Sequence, residues 1–219
     1  MSIIANNLRL AGRMTSMLTP EPPAPFTPTT WNPDDKGSNV TLSNGNLTMV
    51  STGSDGRGVR SVASVTSGKY YWENIIDVDS NSAVGIMTSA ANVDRYPGFD
   101  TNGIGYWSDH RITFGSLFDL GFDTYTTSDI ISVAIDMGTG KIWFAKNGVW
   151  QGSGDPANGT NAVQDLNGSI SLLTELSPNN IFVGAGRAAT GGSNTITANF
   201  GATAFVHTVP AGFNEGFGN

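Results

Sequence analysis

The chain has 219 residues and a formal net charge of −7, from 18 acidic and 11 basic side chains. The lysines and arginines form no run, which argues against a surface that tracks nucleic-acid phosphates. The absence of cysteine excludes disulfides and thiolate metal sites, and no apolar run approaches the about 20 residues that a membrane-spanning helix needs.

Composition divides the chain into three. Residues 1–18 read as a short amphipathic helix, with Ile4, Leu8, Ala11, Met14 and Leu18 near one stripe and Ser2 placed to cap its start. A helix this short is marginal in water and needs a surface to lie on, so it is expected to dock. It does not read as a secretory signal, because Asn6 and Asn7 follow Ile3 and Ile4 at once, and Arg9 and Arg13 interrupt the apolar positions. Residues 19–33 form a spacer in which Pro20, Pro22, Pro23, Pro25, Pro28 and Pro33 exclude helix and interior strand. Residues 34–219 are the body, rich in glycine and aromatics and poor in charge, the make-up of a β-sandwich with many tight turns.

Within the body, Asn-Gly pairs at Asn44, Asn102, Asn147, Asn158 and Asn167 punctuate strand-like runs. The predicted strands are 40–42, 47–51, 59–65, 70–78, 83–88, 103–107, 130–136, 141–146, 170–175, 181–186 and 195–200, an antiparallel sandwich. The clearest stretch is Asp129–Gly152. There Val133 and Ile135 alternate with Ala134 and Asp136, and Ile142 and Phe144 with Lys141 and Trp143. Asn147-Gly148 then supplies a type I′ turn into Val149-Trp150.

The ordered motifs resemble the SPRY (B30.2-like) family: Gly68-Lys69-Tyr70-Tyr71-Trp72-Glu73, Val84-Gly85-Ile86, Gly103-Ile104-Gly105-Tyr106-Trp107, the Asp129–Gly152 block, and Asn199-Phe200-Gly201 through Phe205 to Pro210-Ala211-Gly212-Phe213. Ser128 stands where the family usually has glycine. The resemblance implies an all-β fold, a bent antiparallel sandwich that binds peptides or protein surfaces through loops at one edge and is not an enzyme. In this family pattern Trp72, Trp143, Phe144, Phe200 and Phe213 pack in the core or between sheets. The lead-in WNPDDKGSNVTLSNGNLTMV is similar to SPRY-type proteins of bacteriophage genomes.

Candidate chemistry is sparse. His110 and His207 are the two histidines, and neither a G-x-S-x-G elbow nor an H-E-x-x-H motif accompanies them. Asp77-Val78-Asp79-Ser80-Asn81 opens like a calcium loop, but Ser82 and Thr88 occupy the positions where an EF-hand requires glycine and glutamate. A hairpin turn is the expectation there, and no cofactor or metal is expected. Recognition falls instead to loops. Asn92–Phe99 carries Asp94, Arg95 and Tyr96 at its tip, Trp107 leads into Asp109 and His110, and Trp150 opens the long loop of residues 152–166; these are expected to line one rim. Trp31 is placed near a loop as well.

The leading expectation is a non-enzymatic bacteriophage virion protein. Its arm docks to other virion proteins, and its domain faces a host-surface protein or glycan, as a homo-oligomer on the particle without nucleic-acid binding. Two alternatives stand beside it, a cytoplasmic peptide-binding adaptor and a carbohydrate-binding adhesin.

Overall fold

In the body, β-branched and aromatic residues alternate with small or polar ones, and at nearly every break stands a residue that tolerates a left-handed turn. Asn44 and Gly45 take φ of 52° and 63°, and Asn147 and Gly148 take 49° and 80°. Asn147-Gly148 closes a two-residue hairpin between Lys146 and Val149 in the twist strands prefer, and Asn44-Gly45 opens the four-residue loop between Ser43 and Thr48. The computed structural model describes residues 26–54, 57–163, 176, 180–187 and 192–218. The helix expected over residues 1–18 and the strand expected over 170–175 lie outside them.

The strands are β1 Trp31–Lys36, β2 Val40–Ser43, β3 Thr48–Thr52, β4 Val59–Val65, β5 Lys69–Val78, β6 Ser82–Thr88, β7 Gly103–Trp107, β8 Ile112–Thr113 and β9 Leu117–Phe118. They continue with β10 Ile130–Asp136, β11 Lys141–Lys146, β12 Val149–Trp150, β13 Ile181–Arg187, β14 Ser193–Asn199 and β15 Asn214–Glu215. One sheet runs β1-β4-β13-β6-β7-β8-β9. The other runs β12-β11-β10-β5-β14-β3-β2, with β15 added alongside β5. Every pairing is antiparallel except that of β15 with β5. The expected antiparallel sandwich is present.

The two sheets bury one main core. Trp72, Ile76, Ile104, Tyr106, Val133, Ile135, Ile142 and Phe144 all point inward and are essentially inaccessible. Trp31 is a correction. It is fully buried rather than loop-associated. Its Nε1 donates to the Leu47 carbonyl at 3.0 Å, and its ring meets Phe200 edge-on at 5.0 Å. Strand β1 therefore begins inside the 19–33 span. Pro33 is accommodated because β1 is an edge strand whose pairing to β4 is irregular between Trp31 and Lys36.

A second apolar cluster lies on the outer face of the eight-stranded sheet. Tyr71, Ala134, Trp143 and Phe213 are buried there, with Trp150, Phe205 and Val209 against them. Trp143 and Phe213, expected in the core or between the sheets, are thus buried in this second cluster rather than in the inter-sheet core. The C-terminal segment folds back over this face and is fastened at Glu73. That fully buried carboxylate accepts from the Tyr71 hydroxyl at 2.8 Å, from the Val206 N–H at 2.9 Å and from the His207 N–H at 2.8 Å. Beyond it, Phe217 inserts into the main core against Tyr70 and Trp72.

Candidate functional site

The outer face of the seven-stranded sheet is paved with glycine. Along β7 the inward residues are Ile104 and Tyr106, which leaves Gly103, Gly105 and Trp107 outward; along β13 Val183 and Ala185 face in, and Gly184 and Gly186 face out. The loop 92–99 lies directly on this surface. An ideal Cβ on Gly184 would come within 3.0 Å of Pro97 Cγ, and one on Gly186 within 3.1 Å of Tyr96 Cα. The loop is also bonded down. The Gly58 N–H donates to the Val93 carbonyl at 2.9 Å, and Thr113 Oγ1 donates to the Pro97 carbonyl at 2.9 Å. A glycine at every second position removes the side chains that would hold a loop off a sheet, so this segment is a fixed platform.

The platform presents an aromatic cluster framed by cations. The Tyr96 ring stands 5.1 Å from Trp107 at 61° and 5.6 Å from Phe99 at 87°, the edge-to-face geometry aromatic quadrupoles favour. The Arg95 guanidinium lies 5.1 Å from the centre of Phe99, and that of Arg111 lies 5.1 Å from the centre of Trp107. Asp109 holds Arg111 in place through Nε at 2.9 Å and through a second, closer contact at the other guanidinium nitrogen. That hydrogen bond raises the Arg111 pKa. Burial raises Tyr96, opposed in part by the charges of Arg57, Arg111 and Arg95, so its phenol stays protonated across the neutral range. Beside the aromatics, Tyr96, Phe99, Thr113 and Leu117 line a cleft of about 320 Å³. Phe99 and Leu117 are among the exposed large apolar side chains.

On a chain of net charge −7, cations are unevenly placed. The arginines of the described residues, Arg57, Arg60, Arg95, Arg111 and Arg187, all lie on the seven-stranded sheet or its flanking loops.

The structure thus brings Arg95, Tyr96, Trp107 and Asp109 together, with Phe99, Arg111 and Leu117 beside them. Asp94 is exposed on the same loop, where an Asx turn closes from its N–H to Asn92 Oδ1 at 2.8 Å. His110 takes a φ of 85° and directs Nδ1 to within 3.5 Å of Asp119 Oδ1. Trp150 does not join the rim. It sits on the outer face of the other sheet, 6.4 Å from Tyr71. The described part of the 152–166 loop lines a groove there instead. The sign of the platform was present in the sequence as the Gly103-x-Gly105 and Gly184-x-Gly186 spacings. The stacking of Arg111 on Trp107 was not, because it depends on how far the β7–β8 turn folds back.

No Asp, Glu and His cluster with metal-binding geometry occurs among the described residues. At the Asp77–Asn81 turn, Asp79 Oδ1 accepts the Ser82 N–H at 2.9 Å and Asn81 takes a φ of 59°. It is a side-chain-capped hairpin turn. No helix among the described residues is long and apolar enough to cross a membrane.

Comparison with known proteins agrees with this architecture. Residues 69–166 match the SPRY domain family model. Ran-binding protein 9 of Xenopus laevis is 32% identical over 144 residues, covering 60% of this chain and 25% of that protein. The Drosophila melanogaster Ran-binding proteins 9/10 homolog is 32% identical over 134 residues, covering 56% and 14%. Human Ran-binding protein 9 is 30% identical over 135 residues, covering 55% and 18%. The match thus spans a quarter or less of these relatives. Among solved structures, the SPRY domain of human HERC1 superposes with a TM-score of 0.60 at 17% identity, covering 77% of this chain and 96% of that one. A human SPRY domain superposes with a TM-score of 0.52 at 16% identity, covering 76% and 98%. The match to the SPRY domain family falls on residues 69–166, and the fold of the two sheets is that of the solved SPRY domains.

Proposed function

We propose that this SPRY-domain chain is a protein-recognition module without catalytic turnover, and that it captures a short segment of a partner protein on the Tyr96–Trp107 platform. One observation carries the reading: three aromatic rings and two stacked arginines share a single loop pair that the glycine-paved sheet holds rigid. Aromatic and arginine side chains dominate binding energy at protein interfaces, and a fixed platform loses little entropy on binding. The cations favour a partner segment with acidic side chains, and the cleft beside Phe99 and Leu117 suits one apolar side chain.

The relatives named above are Ran-binding proteins of animals. They support an adaptor reading over display on a virus particle, which drew on the N-terminal arm, most of it outside the described residues. Docking of that arm to other proteins, and any homo-oligomer, remain proposals. They are tested by comparing the full chain with one lacking residues 1–25 in size-exclusion chromatography with light scattering.

The main test is selection from a displayed peptide library on the immobilised full chain. Enriched peptides should carry Asp or Glu beside an apolar anchor. Their binding should fall at least tenfold in Tyr96→Ala and Arg111→Ala, and should be unchanged in Lys141→Ala, on the other sheet. Failure to enrich any motif, or enrichment indifferent to the two rim variants, overturns the proposal.

A further inference from the structure

The second concavity lies on the outer face of the eight-stranded sheet. It has a volume of about 550 Å³, within the range of small-ligand sites. Three separate segments build it: the β11–β12 turn with Trp150, the 155–160 hairpin, and the returning tail around His207 and Pro210. Each is anchored independently of the groove. Asp155 and Thr160 pair through both backbone bonds, at 3.0 and 2.9 Å. Trp143 Nε1 donates to the Thr160 carbonyl at 2.8 Å. The tail is fixed by Glu73. Walls held this way do not close when the space between them is empty.

The chemistry of the lining narrows the ligand. Trp150 is half-buried and backed edge-on by Tyr71 at 70°, so its ring is a positioned platform. Asp155 is held by the Asn158 N–H at 3.1 Å and by Asn158 Nδ2 at 2.7 Å, and these bonds keep its carboxyl below the usual aspartate range. The Ala157 backbone N–H bonds to it as well, and a carboxylate has about four acceptor sites, so about one remains for a ligand's donor. Neither lysine nor arginine lines the groove. A phosphate or an acidic peptide would therefore meet the Asp155 charge with no fixed cation to offset it, His207 being the one basic side chain of the lining. Pro156, Ala157, Pro210 and Ala211 make the side walls short, leaving room for a rigid ring rather than a flexible chain.

We infer that the Trp150–Asp155 groove is a second ligand site, and that its ligand is a neutral saccharide. A sugar ring presents an apolar C–H face to an indole and several hydroxyl donors around its edge, the pairing an aromatic platform beside a carboxylate selects. The site lies on the sheet opposite the Tyr96–Trp107 platform, so the domain can hold both partners at once.

The experiment is an NMR and tryptophan-fluorescence titration of the full chain with maltotriose, cellobiose and N,N′-diacetylchitobiose, with choline as a cationic control. The expected result is saturation by at least one saccharide, with shifts confined to Trp150, Asp155 and the tail around His207. Trp150→Ala should abolish it, and Trp107→Ala should leave it unchanged. Because Trp150→Ala also removes packing against Tyr71, Ala211→Arg serves as the second variant. Ala211 is exposed on the groove wall, and an arginine there fills the groove without removing a packed atom. Loss of saccharide binding at an unchanged melting midpoint supports the site. Binding that survives Ala211→Arg, saturation by choline alone, or no saturation by these probes and by a broad glycan array overturns it.

Discussion

Pro97 rests on Gly105: an ideal Cβ at position 105 would stand 2.2 Å from the Pro97 carbonyl oxygen, with Thr113 Oγ1 at 2.8 Å on its other side. Neither neighbour is the free end of a flexible side chain, so the space cannot open without moving the loop. The loop 92–99 can lie on the sheet because this residue has no side chain.

Gly105→Ala should therefore cost about 1–3 kcal/mol of stability, the usual penalty for overpacking a rigid site. It should also detach the loop 92–99 from the sheet. Peptide binding is expected to fall together with amide-exchange protection at the Gly58 N–H, which bonds to Val93 in the intact loop. Thermal unfolding combined with hydrogen exchange checks both. An unchanged exchange rate at Gly58 would show that the loop tolerates a Cβ.

Glu73 ties the tail to the sheet. Glu73→Ala removes the acceptor for three donors, the Tyr71 hydroxyl and the Val206 and His207 N–H groups. Buried donors left unpaired cost about 1–3 kcal/mol each. Part of that is recovered if the tail opens to water. The variant should lose several kcal/mol in urea denaturation and become sensitive to limited proteolysis near residues 205–210. Glu73→Gln keeps one acceptor and should fall between.

Trp143 and Trp150 lie on the same face but differ in burial. Trp143 is 1% exposed and meets Phe213 edge-on at 6.2 Å. Trp143→Ala should cost about 3–5 kcal/mol by loss of contacts and a residual cavity. Trp150→Ala, at a half-buried edge strand, should cost less than half as much. Paired chemical denaturation curves decide it, and equal losses would show that the edge strand is as tightly held as the centre.

Acid should unfold the domain partly through Asp136. Burial works to raise its pKa, but hydrogen bonds from Thr139 and Lys69 outweigh burial, and the net shift is downward from 3.8. A carboxyl with a depressed folded value stabilises the fold above its unfolded pKa, and that contribution is lost as pH falls through the folded one. The melting midpoint should be flat from pH 7 to about pH 5 and drop below about pH 4. Asp136→Asn should lower the neutral midpoint and flatten the acid limb. Differential scanning calorimetry across pH measures both, and an acid limb of wild-type slope in the variant would assign the loss to other groups.

Much of this protein is written in local pattern. A run such as Ile130–Asp136 buries its alternate side chains as a strand, and Asn147-Gly148 turns the next strand, Lys141–Lys146, back into Val149-Trp150, because few residue pairs accept two left-handed conformations. The sandwich and most of its strands follow from such nearest-neighbour constraints. What faces each strand's far side does not. Ala134 alternates with the core-facing Val133 and Ile135 and is buried all the same, beside Trp143 and Tyr71, because a tail some 60 to 140 residues later in the chain covers this face. Trp31 looked peripheral and is central for the same reason, and Trp150 was grouped with Trp107 although the sheets place them on opposite faces. Alternation and turn chemistry act over a few residues and are legible one segment at a time; which surfaces meet depends on the register and closure of two whole sheets, and only the folded chain decides it.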